Sequence, residues 1–316
     1  MSALAARRLD NIVSLARLQD PRGASEEVAR LRASCVEHGF FYLQDHGVPA
    51  SLVHDAMGAA QGFFALPQAV KCRFGQDHQQ VHPKTSRGYV GAYGETLHAP
   101  SGPDCKQHFD LGIEAAPGDL PFTGPNVLPS EAQAPGFARH MLALQEWVMG
   151  RIFPGVLQAM AQALGQAPGF FTPHFARPTL IQRALYYPAG AGGAGMHTDN
   201  GIFTVLFQDP RDQGSLRAWS RGRWLDVPYR EGALVMNLGD MLMKWSNGHF
   251  VSTPHQVVHR AAHPRLSIAF FIYPDIEARF VPLHGTGTIA CRDVMLENFA
   301  SIWQRGEGAG RARDLH

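Results

Sequence analysis

Two histidines and one aspartate stand at spacings that could form a metal site. His197 and Asp199 flank Thr198, and His255 follows further along the chain. Residues i and i+2 of a β-strand point to the same side, so His197 and Asp199 can face one centre. Two imidazoles and one carboxylate can occupy one face of an octahedral Fe(II) and leave three positions open for an oxidant and a co-substrate. The pattern therefore predicts an oxygen-activating site.

Spacing alone does not exclude other residues as the metal ligands. A second HxD motif, His108-Phe109-Asp110, lies in the N-terminal half, and His259 shares one face of a predicted strand with His255. Polar surface or core residues could also match such a pattern by chance. The surrounding sequence has to select among these alternatives.

Composition excludes several functional classes. The 316-residue chain is 45% hydrophobic and 17% charged, with a formal net charge of +1, which is enough apolar sequence for one large core. Long Lys or Arg runs are absent from the sequence, so we expect neither a nucleic-acid nor a membrane partner. No apolar run approaches the ~20 residues that cross a bilayer. The expected partner is a small-molecule substrate.

The cysteines and the N-terminus indicate the compartment. Four cysteines lie far apart without a CxxC pair or a secretory leader, which favours thiols in a reducing environment. Met1 to Leu18 is rich in arginine and weakly resembles a transit peptide, but it includes Asp10. We expect a cytoplasmic protein.

The first half of the chain predicts helices and loops. Ser25 is a candidate cap for a helix over 25–39 that Gly39 would end, followed by an aromatic strand at 40–43 and a helix over 51–64. The stretch from Gln76 to Pro125 predicts long loops with short strands. Three- and four-residue spacing between Gly136 and Gly165 predicts a long amphipathic helix, kinked or split at Pro154.

The second half alternates with a period of two. Apolar residues alternate at 202–207, 232–238 and 266–273, and turn-prone pairs such as Arg221-Gly222 and Asn247-Gly248 separate the segments. These strands predict an antiparallel barrel or jelly roll. The glycine-rich run Gly190 to Gly195 is expected to be a mobile entrance loop or a plain flexible connection, and Gln304 to His316 a frayed tail.

An ordered series of motifs spans nearly the whole chain and resembles the isopenicillin N synthase-like family of Fe(II)/2-oxoglutarate-dependent oxygenases. The motifs are Gly39-Phe-Phe-Tyr-Leu-Gln-Asp-His-Gly-Val-Pro49, Phe63-Phe64-Ala-Leu-Pro67, Arg87-Gly-Tyr89, Tyr186-Tyr-Pro188, His197 to Asp209, Trp224 to Pro228, Asn237-Leu-Gly-Asp240, Trp245 to Gly248, Ser252-Thr-Pro-His255 and Arg265-Leu-Ser267.

This resemblance implies an α+β, mainly β fold whose double-stranded β-helix (jelly-roll) core is flanked by helices. It implies an N-terminal region at 1–130 that packs on the core as a partial lid, a helical support at 131–178, the catalytic core at 179–280 and a C-terminal extension at 281–316.

The resemblance also assigns roles to residues. It implies that His197, Asp199 and His255 bind Fe(II), and that Arg265 and Ser267 hold the distal carboxylate of 2-oxoglutarate. Independently of the family, a guanidinium and a hydroxyl two residues apart on one strand face can hold a carboxylate together.

Other family positions carry weaker expectations. Tyr187 matches a tyrosine whose hydroxyl often joins the co-substrate carboxylate. The chain departs from the family at Gln256, where an Arg is usual, and at Tyr186, where an Asn is frequent; neither position binds metal.

Arg87, Tyr89, Asn200 and Phe271 are candidate substrate contacts, and ordinary packing or solvation is the alternative for each. If Arg87 faces the iron, the substrate is expected to bear a carboxylate.

The implied activity is a dioxygenase that uses Fe(II), 2-oxoglutarate and O2 to oxidise an unactivated C–H bond of a small molecule, with release of succinate and CO2. Hydroxylation is the default, and desaturation or cyclisation are variants. One alternative is a same-fold oxidase that does not use 2-oxoglutarate; another is a catalytically silent small-molecule-binding protein.

Overall fold

A computed structural model describes residues 7–75, 86–118, 120–190 and 192–300. Within these ranges the chain folds into a mixed α and β structure with two large, mostly antiparallel sheets of eight and five strands. The predicted tail at 304–316 and the first residues of the candidate targeting segment lie outside the described residues.

The N-terminal elements alternate short strands with helices. In chain order they are β1 (Arg7–Arg8), β2 (Ile12–Ser14), α1 (Leu15–Gln19), α2 (Ala24–Glu37), β3 (Phe40–Gln44), α3 (Ala50–Phe64) and α4 (Gln68–Lys71), followed by a 3-10 turn at Cys72–Phe74.

The helix predicted over 25–39 is α2, but its cap differs from the prediction. The N-cap is Gly23, and Ser25 lies inside the first turn, so the predicted serine cap is wrong. Glu26 and Glu27 still favour the helix start, because their charges oppose the positive end of the helix dipole. Gly39 adopts φ +59° after the last turn, as expected of a glycine that ends a helix.

The middle of the chain supplies two short strands and a long helical segment. Its elements are β4 (Gly88–Val90), β5 (Gln107–Leu111), α5 (Phe137–Trp147), a π-helical turn (Val148–Ile152) and α6 (Phe153–Ala163), with 3-10 turns at Ala99–Ser101 and Thr172–His174. The chain is not split at Pro154: it stays helical from Phe137 to Ala163, and Pro154 lies in the first turn of α6, directly after the π-helical turn. Proline has no N–H to donate, and the change from α- to π-helical hydrogen bonding occurs just before it.

The second half supplies most of the strands. They are β6 (Thr179–Tyr187), β7 (Gly192–His197), β8 (Phe203–Gln208), β9 (Leu216–Ser220), β10 (Arg223–Asp226), β11 (Ala233–Leu238), β12 (His255–His259), β13 (Arg265–Tyr273), β14 (Arg279–Phe280) and β15 (Ile289–Ala290), with α7 (Asp240–Trp245) before β12. Residues 291–300 are helical.

Strands distant in sequence pair within each sheet. The large sheet has the order β2-β3-β11-β8-β13-β6-β5-β4, and the small sheet has the order β1-β10-β9-β12-β7. The predicted turn at Arg221-Gly222 joins β9 to β10, and both residues have positive φ, as a tight two-residue hairpin requires. The glycine run at 190–195 is mostly strand β7, so the expected entrance loop is wrong for residues 192–195.

The two faces of the large sheet bury different surfaces. On β13, Ile268, Phe270 and Ile272 pack into the main core with the helices. Ala269, on the opposite face, belongs to a second apolar cluster with Val257 of the small sheet. The sheets therefore pack face to face, and the helices cover the outer side of the larger one.

None of the helices in the described part of the chain combines the length and apolar character that crossing a membrane demands.

Candidate active site

Strand pairing brings the two distant histidines together. His197 ends β7, His255 begins β12, and the two residues are opposite each other in the antiparallel register. Asp199 follows β7 by two residues, and its Oδ1 lies 3.9 Å from Nε2 of His197 and 3.7 Å from Nε2 of His255. The three candidate ligand atoms lie within 4.8 Å of one another. This spacing fits convergence on a single metal ion.

Backbone carbonyls orient both imidazoles. Nδ1 of His197 lies 2.7 Å from the carbonyl oxygen of Gly195, and Nδ1 of His255 lies 3.1 Å from that of Thr253. Since a carbonyl oxygen can only accept, each Nδ1 carries the proton and each Nε2 keeps its lone pair. Burial, the neighbouring His255 and other charges lower the pKa of His197 to about 4, which keeps this imidazole neutral. Both rings are therefore prepared as metal ligands.

The carboxylate of Asp199 is held through one oxygen only. Its Oδ2 accepts hydrogen bonds from Oγ1 of Thr204 at 2.5 Å and from Nδ2 of Asn237 at 2.6 Å. Burial alone would raise the pKa of Asp199, but His255, His197 and these two donors lower it below its usual value. The carboxylate stays ionised and turns Oδ1 toward the imidazoles.

The rival ligand candidates lie away from this cluster. His259 lies at the far end of β12, where Nε2 donates to the carbonyl of His263 at 2.6 Å and Nδ1 lies 3.0 Å from Oγ of Ser215. Asp110, of the second HxD motif, lies in β5 and accepts two hydrogen bonds from Arg183, at 2.7 and 2.8 Å. Within the described ranges, His197, Asp199 and His255 form the one group arranged to hold a metal ion.

Arg265, Ser267 and Tyr187 form a buried corner. Arg265 and Tyr187 are opposite each other on β13 and β6, and the guanidinium lies 5.0 Å from the centre of the phenol ring. Nη1 of Arg265 donates to Oγ of Ser267 at 3.2 Å, and Nε donates to Asp212. Nη2 of Arg265 is buried without a hydrogen-bond partner among the described residues. An uncompensated buried N–H group is costly, so the corner is suited to an anionic oxygen.

A cavity of about 340 Å³ connects the corner with the three candidate ligands. Alternate residues of β13 line it, from Arg265 and Ser267 at one end to Phe271 and Tyr273 at the other. Asn200, next to Asp199, also lines it, so the structure brings the two predicted substrate contacts Asn200 and Phe271 into the same cavity.

Arg87 and Tyr89 do not belong to this lining. The buried guanidinium of Arg87 donates to the backbone carbonyls of Ser86 and Phe122, at 3.2 and 3.0 Å. The hydroxyl of Tyr89 donates to Oε1 of Gln107 at 2.7 Å. Both residues therefore pack inside the N-terminal region, and the condition for expecting a carboxylate-bearing substrate, an Arg87 that faces the iron, is not met.

Several residues that line the cavity could not be predicted from the sequence. Glu95, Lys106 and Arg183 line the cavity from the loop before β5 and from β6. Charged residues in a loop-rich segment carry no periodic signal, and their positions follow from pairing between distant strands.

The C-terminal helical segment also reaches the cavity. Asn298 and Phe299 contribute to the lining. The residues expected only as an extension thus close part of the site. By contrast, Asn237, which donates a hydrogen bond to Asp199, lies in the family motif Asn237-Leu-Gly-Asp240. That motif is a sequence signal from which its role could be predicted.

Comparisons with known proteins agree with this geometry. The family model described as the 2OG-Fe(II) oxygenase superfamily matches residues 178–274, and that described as the non-haem dioxygenase in morphine synthesis N-terminal region matches residues 11–131. The 2-oxoglutarate-dependent dioxygenase caaD of Aspergillus niger is 30% identical, over 82% of this chain and 81% of its own length. The 2-oxoglutarate-dependent dioxygenase citB of Monascus ruber is 30% identical, over 90% and 93%.

A solved structure has the same fold. The structure of a full-length Neurospora crassa protein in complex with alpha-KG superposes with a TM-score of 0.80 at 24% identity and covers 95% of this chain and 98% of that one. With the geometry of the site, these matches establish that the chain belongs to the 2OG-Fe(II) oxygenase superfamily and is a dioxygenase that uses Fe(II), 2-oxoglutarate and O2.

Proposed function

We propose that His197, Asp199 and His255 bind the iron of this dioxygenase. The observation that carries the proposal is the convergence of the two Nε2 atoms and Oδ1 of Asp199 within 4.8 Å. The remaining polar atoms of the three side chains already hold hydrogen bonds, so only the converging atoms remain for a metal. Two imidazoles and one carboxylate are the ligand set of non-haem Fe(II) oxygenases.

Bound Fe(II) supplies O2 activation coupled to oxidative decarboxylation of 2-oxoglutarate to succinate and CO2. Thr204 and Asn237 fix the plane of the Asp199 carboxylate, and the carbonyls of Gly195 and Thr253 fix the two rings. Such hydrogen bonds to metal ligands orient them and raise their affinity for the metal. The protein contributes orientation and a shielded cavity.

The distal carboxylate of 2-oxoglutarate is proposed to bind to Arg265, Ser267 and Tyr187. Nη2 of Arg265 and the Ser267 hydroxyl lie on the same strand face, and Arg265 is only 1% exposed. A charge-assisted bond to a carboxylate would satisfy the buried Nη2 atom. The ring of Tyr187 belongs to the same corner, 5.0 Å from the Arg265 guanidinium.

The substrate is proposed to be a small molecule, with hydroxylation of a C–H bond as the default reaction. A cavity of about 340 Å³ lies at the small end of the range for ligand pockets and must also admit 2-oxoglutarate. Asn200 and Phe271 are the proposed substrate contacts.

We also propose the finer architecture and location. The two packed sheets are interpreted as the halves of a jelly-roll core at 179–280, with the N-terminal region at 1–130, a helical support at 131–178 and a C-terminal extension at 281–316. The free thiols of Cys35, Cys72, Cys105 and Cys291 favour a cytoplasmic location.

The test is anaerobic titration with Fe(II) and 2-oxoglutarate. A weak visible charge-transfer band is expected when a keto acid chelates iron in a facial triad. The band should vanish in His255→Ala and persist in the matched control His259→Ala, on the same strand. An unchanged band in His255→Ala would overturn the ligand assignment. Coupled succinate formation then measures use of 2-oxoglutarate during turnover.

A further inference from the structure

Part of the cavity is lined by three charged side chains, Glu95, Lys106 and Arg183, which we call the charged wall. Arg183 is opposite Ala269 in the pairing of β6 with β13. Ala269 lies four residues along β13 from Arg265, about 13 Å at the rise of an extended strand. The backbone of Arg183 therefore lies well away from that of Arg265, the residue proposed to bind the 2-oxoglutarate carboxylate.

Each cation of the charged wall already contacts two carboxylates. Nζ of Lys106 lies 2.6 Å from Oε2 of Glu95 and 2.6 Å from Oδ2 of Asp104. Nη1 of Arg183 lies 3.1 and 3.2 Å from the two oxygens of Glu95, and Nε and Nη2 bind Asp110. These ion pairs are buried, so the charges are tightly matched to one another and poorly screened by solvent.

The charges of this group are matched. Glu95, Asp104 and Asp110 face the cations Lys106 and Arg183, and the buried Arg87 adds a positive charge near Asp110. The neighbouring His108 adds no charge at neutral pH, because burial and the charge of Arg183 lower its pKa to about 4. A carboxylate placed against the wall would meet carboxylates that already hold both cations of the wall.

The rest of the described cavity lining offers an anionic substrate no unmatched cation. Arg265 is bound to Asp212 and is assigned to the co-substrate, and Asp240 adds another acid to the lining. Fe(II) is outweighed by the charges of Asp199 and the 2-oxoglutarate dianion together. Among the described cavity residues, each cation is thus already matched by an acid.

The charged wall nevertheless keeps hydrogen-bonding capacity. The ionised carboxylate of Glu95 has about four acceptor positions, of which the contacts with Arg183 and Lys106 use three. Lys106 has three N–H donors and contacts two acceptors, and Arg183 has five donors and makes four contacts. Phe271 lies 5.8 Å from the guanidinium of Arg183 and offers apolar surface beside these groups.

From this arrangement we infer that the portion of the substrate entering the cavity is uncharged, and that it donates a hydrogen bond to Glu95 while offering an acceptor to Lys106 or Arg183. Glu95 is then the residue that selects neutral molecules against acids. The inference rests on the proposed function, because it takes the iron to be held by His197, Asp199 and His255 and 2-oxoglutarate to be held at Arg265.

The test compares neutral and anionic molecules of the same shape. Benzamide with benzoate, nicotinamide with nicotinate, and phenylacetamide with phenylacetate are titrated into the anaerobic enzyme loaded with Fe(II) and 2-oxoglutarate, and binding is followed by ligand-observed NMR. We expect an amide to bind at least tenfold more tightly than its acid. Equal or tighter binding of the acids, or binding of no member of any pair, overturns the inference.

Variants then examine Glu95 itself. Glu95→Gln should reduce the preference for the amide at least tenfold, whereas Glu27→Gln, a buried glutamate outside the cavity lining, should leave it unchanged. If Glu95→Gln disturbs folding, Glu95→Asp keeps the charge and withdraws the oxygens, so amide affinity should fall while acids remain excluded. An unchanged amide affinity in both Glu95 variants contradicts the role of Glu95.

The charge-transfer band separates the two proposals. A wild-type enzyme without the band contradicts the assignment of the iron and co-substrate sites. A wild-type enzyme that shows the band and prefers acids contradicts only the inference about the substrate.

Discussion

The two oxygens of Asp199 have separate tasks. Oδ2 is held by Thr204 and Asn237, and Oδ1 faces the histidine Nε2 atoms. A carboxylate ligand that is already oriented loses less conformational freedom when a metal binds. The affinity for iron is therefore expected to depend on residues that never touch it.

Replacement of Thr204 tests this dependence. Thr204→Val removes the hydroxyl that donates to Asp199 and nearly preserves the shape, so Fe(II) affinity should fall by about 10- to 100-fold. Anaerobic Fe(II) titration measures the change. Thr179→Val is the matched control, because Oγ1 of Thr179 is buried without a hydrogen-bond partner in the described part of the chain. Equal Fe(II) affinities in the two variants would disprove the proposed orientation effect.

Arg265 allows a second prediction at this scale. Arg265→Lys keeps the charge but loses the forked donors, so the KM for 2-oxoglutarate should rise by about tenfold or more while Fe(II) affinity is retained. The control is Arg217→Lys, whose ion pair with Asp226 lies outside the cavity lining. A fall in Fe(II) affinity with an unchanged KM would refute the assignment of Arg265 to the co-substrate.

At the scale of elements, the loop after β7 is locked against the start of α7. The backbone N–H of Asp240 donates to the carbonyl of Asp199 at 2.7 Å, and that of Gly239 donates to the carbonyl of Ile202 at 3.1 Å. A Cβ atom on Gly239 would clash with the carbonyl oxygen of Gly201 and lie 2.9 Å from that of Asp199. Backbone atoms cannot move aside as a flexible side chain can.

Gly239→Ala should therefore weaken both folding and metal binding. We expect a loss of about 1–3 kcal/mol in the free energy of unfolding, as for other overpacked sites, together with lower Fe(II) affinity. Urea denaturation and Fe(II) titration measure the two effects. Gly58→Ala, on an open face of α3, should instead stabilise the protein by up to about 1 kcal/mol. An unchanged free energy of unfolding in Gly239→Ala would contradict the predicted clash.

Elements with a regular pattern can be predicted from the sequence, and their pairing cannot. The three- and four-residue spacing predicts α2 and the long helical segment formed by α5 and α6, because one face of each helix is buried. The π-helical turn at 148–152 and the neighbour order of the strands depend on contacts between distant segments. For this reason the candidate ligand residues are identifiable in the sequence, whereas Glu95, Lys106 and Arg183 are recognised only in the fold.

The whole molecule buries charged and titratable groups beside its cavity, which makes stability depend on pH. Burial, followed by the charge of Arg183, lowers the pKa of His108 to about 4, while the unfolded chain has an ordinary histidine pKa of ~6.5. As pH falls below ~6.5, the unfolded state takes up a proton that the folded state does not, so stability is lost progressively down to the folded pKa.

We accordingly expect the free energy of unfolding to fall by about 2 kcal/mol through His108 when the pH is lowered from 7.5 to 5. His108→Gln should remove that part of the pH dependence, as measured by urea denaturation at both pH values. His54→Gln is the control, since the His54 side chain is 88% exposed. Contributions from other groups, including His197, cancel in the comparison. If the free energy of unfolding falls as much in His108→Gln as in the wild type between the two pH values, the prediction is contradicted.

One carboxylate joins two regions with different tasks. Asp104 accepts hydrogen bonds from the backbone N–H groups of Gly195 and Leu97 and pairs with Lys106, while the carbonyl of Gly195 orients His197. Attempts to evolve new substrate preference by remodelling the loop around Asp104 will therefore also alter iron retention. Libraries that hold Asp104 constant and vary the wall around it should yield more metal-loaded variants than libraries that randomise the whole loop.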